Sequence, residues 1–142
     1  MFAIVRKPID VAALARSVRT DACGAVITFA GVVREMSDDE QPVTGLSYEA
    51  HEAMAAAEFE KIAGEARERF GPCEIAIAHR TGELQVGEVS VAVAVAAPHR
   101  GPAFDACEYA IDELKRRTPI WKKEHYAHGG TQWRTNPDAA NQ

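Results

Sequence analysis

The longest apolar stretch of the chain, residues 89–98, is only strand-length. A membrane-crossing helix requires about 20 consecutive apolar residues, so none is expected here. Within the stretch, Val89, Val91, Val93 and Val95 alternate with serine and alanine. A period of two is that of a β-strand, whose successive side chains leave opposite faces. Residues 88–97 are therefore predicted as a strand with branched side chains on one face and small ones on the other. Pro98 stops it. The small face reflects the whole chain: of 142 residues, 46% are hydrophobic, and alanine alone accounts for 26.

The other elements are predicted around that strand. Residues 2–6 form a short strand. Asp10 caps a helix carrying Val11, Leu14, Ala15 and Val18. Residues 24–33 (GAVITFAGVV) form a buried strand, and 35–42 (EMSDDEQP) a mobile acidic loop. Residues 46–51 alternate as a half-buried strand. Residues 52–70 form a long helix with Ala55, Phe59, Ile62 and Ala66 on one face, ended by Gly71-Pro72. Residues 74–80 are a strand and 81–87 a turn-containing connection. After Pro98, Gly101-Pro102 opens a helix with Phe104, Cys107, Ile111 and Leu114 as its apolar stripe, and Thr118-Pro119 closes it. Residues 120–126 and 131–134 are short strands around a His-Gly-Gly turn. Strand pairs separated by single helices indicate an α+β fold with a mostly antiparallel or mixed sheet. Residues 1–136 read as one domain, and 137–142 as a polar, frayed C-terminal tail.

Charge narrows the function. Sixteen cationic and 21 acidic residues leave a net charge of −5, which speaks against a nucleic-acid-binding surface. The distribution is uneven. Residues 1–98 hold 9 cations and 15 acids, whereas 99–142 hold 7 and 6. Lys115, Arg116, Arg117, Lys122 and Lys123 fall in nine positions with no acid among them. An acidic chain with one cationic cluster points to a local anion site. No phosphate-binding glycine fingerprint is present. Cys23, Cys73 and Cys107 are odd in number and widely spaced, which fits reduced thiols in a cytosolic protein rather than a disulfide framework or a thiolate zinc site.

Four segments place cations at element ends: Arg34 after a buried strand, His99-Arg100 at a helix start, Lys115 to Arg117 at that helix's end, and Lys122-Lys123 just beyond. Each has a plain structural reading. Arg34 can be a surface charge, His99-Arg100 a cap, the 115–117 run a complement to the helix dipole, and Trp121 a core anchor. Lys115, however, flanks the buried stripe, one residue after Leu114. There its ammonium is expected to be partly desolvated and near Arg116 or Lys122, both of which favour the neutral amine. A His125/His128 metal site lacks an acidic third ligand. Cys23 and Cys107 read as structural thiols, and no serine sits in a triad context.

Four motifs together carry a resemblance: GAVITFAGVVR (24–34), HRTGELQVGE (79–88), APHRGPAF (97–104) and LKRRTPIWKKE (114–124). In order and spacing they resemble the large, catalytic subunit family of molybdopterin synthase, from about residue 3 to about residue 134. The resemblance implies an α/β hammerhead fold with an additional small antiparallel β-sheet. It implies a homodimer of large subunits within a heterotetramer. Each large subunit would bind a small ubiquitin-like sulfur-carrier subunit whose C-terminal Gly-Gly bears a thiocarboxylate. Sulfur then passes to cyclic pyranopterin monophosphate, giving the dithiolene of molybdopterin, with no metal or cofactor on the large subunit. The family's functional positions correspond to Arg34, His99, Arg100, Lys115 and Lys122, with Lys115 and Lys122 catalytic and all five in substrate binding. His99 and Arg100 could serve the neighbouring protomer's site. Arg134 is the one candidate for a further basic residue near the C-terminus. Two other readings stand beside this one: a non-catalytic module that docks a ubiquitin-like tail or an anionic ligand, and a sulfur carrier using Cys23 or Cys107.

Overall fold

The structure, a computed structural model, describes residues 1–135; the expected tail at 137–142 lies outside them. In chain order the elements are β1 (Phe2–Val5), α1 (Val11–Val18), β2 (Ala25–Val32), β3 (Val43–Ala50), α2 (Glu52–Phe70), β4 (Glu74–Arg80), β5 (Gly82–Gln85), β6 (Val89–Ala97), α3 (Arg100–Arg117), β7 (Ile120–Tyr126) and β8 (Thr131–Thr135). They build two four-stranded sheets. The first has the order β1-β4-β6-β2 and the second β5-β3-β7-β8. Among the described residues only the β1–β4 pairing is parallel. This is the mixed, α+β arrangement that the element order implies.

The two faces of β6 separate two packing layers. Val91, Val93 and Val95 join Ile75 and Ile77 of β4 beneath α2 and α3, where Phe59, Ile62, Ala106 and Ala110 are fully buried. On the reverse face, Ala92, Ala94 and Ala96 lie beside Ala76 and Ala78, and α1 settles on this methyl-lined surface through Leu14 and Val18. Both faces of β6 thus lose their water, which apolar side chains on both faces permit. Asp10 starts α1 by accepting a hydrogen bond from the Ala13 N–H at 2.9 Å. Gly71, at φ +94°, ends α2 in a backbone conformation that disfavours a side chain.

Four expectations change. The 81–87 connection contains β5, which pairs antiparallel with β3. It is short and carries Leu84 as its one buried residue, so it shows little strand periodicity. Gly82 and Gly87 bracket it at φ +91° and +92°, and Arg80 pairs with Glu88 across its ends. Phe104 is 58% exposed and stands outside the α3 stripe. Trp121 is 43% exposed on the outer face of the second sheet and anchors no core. The acidic 35–42 loop is organised as a hydrogen-bonded turn, an order that its sequence does not announce. The Ser37 N–H donates to the Gln41 carbonyl at 2.8 Å, Gln41 N–H donates to Ser37 Oγ at 3.0 Å, and Val43 N–H donates to the Glu35 carbonyl at 2.9 Å. Among the described residues no helix is long and apolar enough to cross a membrane.

Candidate active site

The sheets meet where the end of β2 and the start of β6 approach β3 and β7, with the last turn of α3 closing the gap. A cavity of about 260 Å³ lies there, lined by Arg34, Asp38, Lys115, Lys122 and Glu124 among others. An adjoining recess of about 60 Å³ shares Tyr48, Ser90, Lys115 and Lys122 as walls and adds His79.

Local structure explains how each cation arrives. The β2–β6 register shifts between Gly31 and Val32, and such a bulge re-aims the chain that follows. Val33 is buried with Leu46 and Leu84, which leaves Arg34 exposed at the cavity mouth. Lys122 lies on the same face of β7 as buried Ile120, Glu124 and Tyr126 and directly opposite Tyr48 of β3. Its neighbour Lys123 leaves the other face and stands 5.5 Å from the Trp133 ring centre. Lys115 comes from the final turn of α3. It lines both compartments but is exposed, so the expected partial desolvation is not met.

The 115–117 cluster therefore divides. Arg117 leaves the site and clamps α3 to α2, with bonds of 2.9 and 2.7 Å to the two Glu65 oxygens and a 3.1 Å contact to Glu58. Arg116 bonds Glu113 at 2.8 Å on its own helix. Lys115 alone of the three faces the cavity. His99 and Arg100 are not brought to it. Both are exposed at the N-terminal end of α3, and the fifteen residues from Arg100 to Lys115 span about 22 Å of helix. Arg134 does not line the cavity either. It pairs with buried Glu124 and with Asp39, and the Tyr126 hydroxyl first, then Asp39 and Glu124, hold its proton more firmly than usual. Arg134 thus buttresses the wall from behind.

One acid enters the cationic mouth. Asp38 sits 2.7 Å from Arg34 and 3.9 Å from Lys122 Nζ, so a carboxylate occupies the space between two cations. His79, Tyr48 and Asp38 escaped the sequence reading as site residues. A signal existed for the histidine: Ile75, Ile77 and His79 share one strand face by alternation, which points His79 inward. No comparable signal marked Tyr48 or Asp38.

The other candidates are occupied elsewhere. His125 Nε2 lies 2.6 Å from Ser47 Oγ, and His128 stacks on Tyr126. Among the described residues no group of three or more His, Cys, Asp or Glu is placed to hold a metal ion. Burial pushes the Cys107 thiol up to about 11 and raises that of Cys73. Thiolate is the reactive form, so both are poor nucleophiles near neutrality.

A family model described as MoaE protein matches residues 4–117. The chain belongs to the MoaE protein family. The matched segment includes Arg34, His99, Arg100 and Lys115 and ends before Lys122. A molybdopterin synthase catalytic subunit from a Nostoc species is 44% identical over 133 residues, covering 93% of this chain and 80% of the relative. The crystal structure of molybdopterin synthase from Staphylococcus aureus superposes with a TM-score of 0.89 at 37% identity, over 94% of this chain and 96% of the other. A structure from Helicobacter pylori, described as a protein–protein complex of subunits 1 and 2 of molybdopterin-converting factor, has a TM-score of 0.71 at 26% identity. It covers 88% of this chain and 84% of that one. The curated relatives are thus named as molybdopterin synthase catalytic subunits, and the MoaE fold accounts for both sheets.

Proposed function

We propose that this MoaE-family chain is the catalytic subunit of a molybdopterin synthase. It takes sulfur from the C-terminal thiocarboxylate of a small ubiquitin-like carrier and places it on cyclic pyranopterin monophosphate, forming the dithiolene of molybdopterin. One observation carries this reading: Arg34, from the segment after β2, and Lys115 and Lys122, from α3 and β7, converge on one cavity. Two anions, a cyclic phosphate and a thiocarboxylate, must meet there. Their mutual repulsion in a partly enclosed site is offset only by fixed cations. The fork of Arg34 suits phosphate oxygens. Lys122, on the inner face of a strand, is a fixed positive charge for the incoming tail. Lys115 borders both compartments and is the group best placed to hold or move a proton as sulfur adds and the phosphate ring opens.

The partner is a small carrier subunit of the kind present in the Helicobacter pylori complex. His99 and Arg100 cannot reach Lys115 of their own chain, so in this reading they complete the site of a second copy within a homodimer. A cytosolic setting fits the free cysteines. The decisive test combines the protein with thiocarboxylated carrier and pterin precursor and measures dithiolene formation. Lys115→Ala should leave the complex with the carrier intact and lower turnover by at least about 100-fold. Normal turnover by that variant would remove Lys115 from its role.

A further inference from the structure

The small recess beside the cavity has a buried histidine in its wall. His79 is 5% exposed and lines the small recess with Lys115, Tyr48 and Ser90. Its Nδ1 lies 2.8 Å from the Arg80 carbonyl oxygen. A carbonyl oxygen can only accept, so Nδ1 carries the ring proton. Burial, and after it the nearby Lys115 charge, push the ring's pKa down to about 4, which keeps it neutral near pH 7. A neutral imidazole protonated at Nδ1 has its lone pair on Nε2. The ring stands edge-on to Tyr48, with centres 4.9 Å apart and planes at 70°, and this packing holds its orientation.

We infer that His79 is a positioning residue for the sulfur-transfer reaction, its Nε2 accepting a hydrogen bond from the Lys115 ammonium in the inner recess and setting the direction in which that amine meets substrate. The inference rests on the reading of Lys115 given above. A lysine on a four-carbon stem has many rotamers, and one directed acceptor removes most of that freedom. An ammonium has three donors, so a bond to His79 leaves two for an anionic substrate. The acceptor's neutrality matters equally. A carboxylate in its place would cancel the charge that the anions need, and an imidazolium would repel the ammonium. A buried, neutral, proton-fixed imidazole does neither.

The test compares full-length wild type, His79→Phe, His79→Gln and Lys115→Ala, each with thiocarboxylated carrier and pterin precursor. Phenylalanine keeps a ring against Tyr48 but removes the acceptor. Glutamine returns an oxygen close to the position of Nε2. We expect His79→Phe to lower kcat by about 10- to 100-fold with KM changed by less than about threefold, and His79→Gln to recover most of kcat. Wild-type kcat in His79→Phe would overturn the inference. So would equal losses in both variants, which would mean that ring packing matters and the acceptor does not. Long-range imidazole ¹H–¹⁵N spectra of the wild-type protein give a second readout that needs no folded His79 variant. The Nδ1–H tautomer with an Nε2 resonance that moves in Lys115→Ala is expected. An Nε2–H tautomer, or an Nε2 resonance indifferent to Lys115→Ala, overturns it. Full activity of Lys115→Ala would instead remove the assignment of Lys115 itself, whereas an inactive Lys115→Ala beside a fully active His79→Phe removes only the role of His79.

Discussion

Lys122 and Lys123 are adjacent and chemically identical, yet one faces a cavity and the other a tryptophan on the opposite side of the sheet. The difference is the two-residue period of β7, and it shows how finely the site is set by strand phase. Asp38 is the second residue-scale surprise. Its carboxylate occupies the space between Arg34 and Lys122, where a substrate anion is proposed to bind. Both partners of the Arg34–Asp38 pair are well exposed, at 66% and 47%, and an exposed pair is worth at most about 1 kcal/mol. A phosphate that can accept bidentate bonds displaces it readily. Asp38→Asn should therefore lower KM for the pterin precursor by about two- to fivefold with little change in kcat, since it removes only that weak competitor. Steady-state kinetics decide it, and a raised KM would mark Asp38 as a substrate contact instead.

At the scale of elements, the site depends on α3 keeping its place against α2. Arg117 supplies the clamp, reaching Glu65 and Glu58 across the helix pair, while Tyr109 donates to Glu65 at 2.6 Å. Arg117, and after it Tyr109, hold the Glu65 carboxyl below its ordinary value of 4.5. A carboxylate with a depressed folded pKa contributes stability that is fully present above 4.5 and is lost as pH falls through the lower folded value. Glu65→Gln should accordingly melt below wild type at neutral pH, and the gap should close as the solution is acidified below 4.5. Thermal unfolding at several pH values checks this; a gap that is the same at all pH values would show that the charge of Glu65 is not what matters. Further from the site, Gly45 lets β3 and β5 approach. A Cβ there would lie 2.5 Å from the Leu84 carbonyl oxygen, so the strand that sequence periodicity left unmarked is held by a close backbone contact.

For the molecule as a whole, the long helix α3 separates two groups of proposed site residues. Lys115 belongs to the cavity at one end, and His99 with Arg100 projects from the other. A closed dimer with two-fold symmetry would bring the two ends together in trans at both of its sites. Lys115→Ala and Arg100→Ala should then each be inactive alone. Mixed and allowed to exchange subunits, they should recover about one quarter of wild-type turnover, because half the dimers are mixed and each of these has one intact site. Dithiolene formation by the mixture reads this directly. No recovery after confirmed exchange would place Arg100 in the same site as the Lys115 of its own chain, and an Arg100→Ala protein active by itself would place it in neither.

Most of the frame was legible along the chain. The two-faced strand β6, the Asp10 cap, the Phe59–Ile62 face of α2 and the Gly71 stop all depend on neighbours a few residues away. Periodicity and capping register such contacts. The cationic segments were legible too, as departures from an acidic background. The tertiary structure alone decided which cations share a cavity. It sent Arg117 to α2, Lys123 to the outer face and Lys115 to the rim of the cavity, tied the 35–42 segment into a turn that carries Asp38, and set His79 in the recess that Lys115 borders. It also paired β5 with β3 and left Phe104 and Trp121 in water. Each of these outcomes depends on residues tens of positions apart, whose meeting is set by sheet register and helix packing. Local sequence patterns carry no record of such distant encounters.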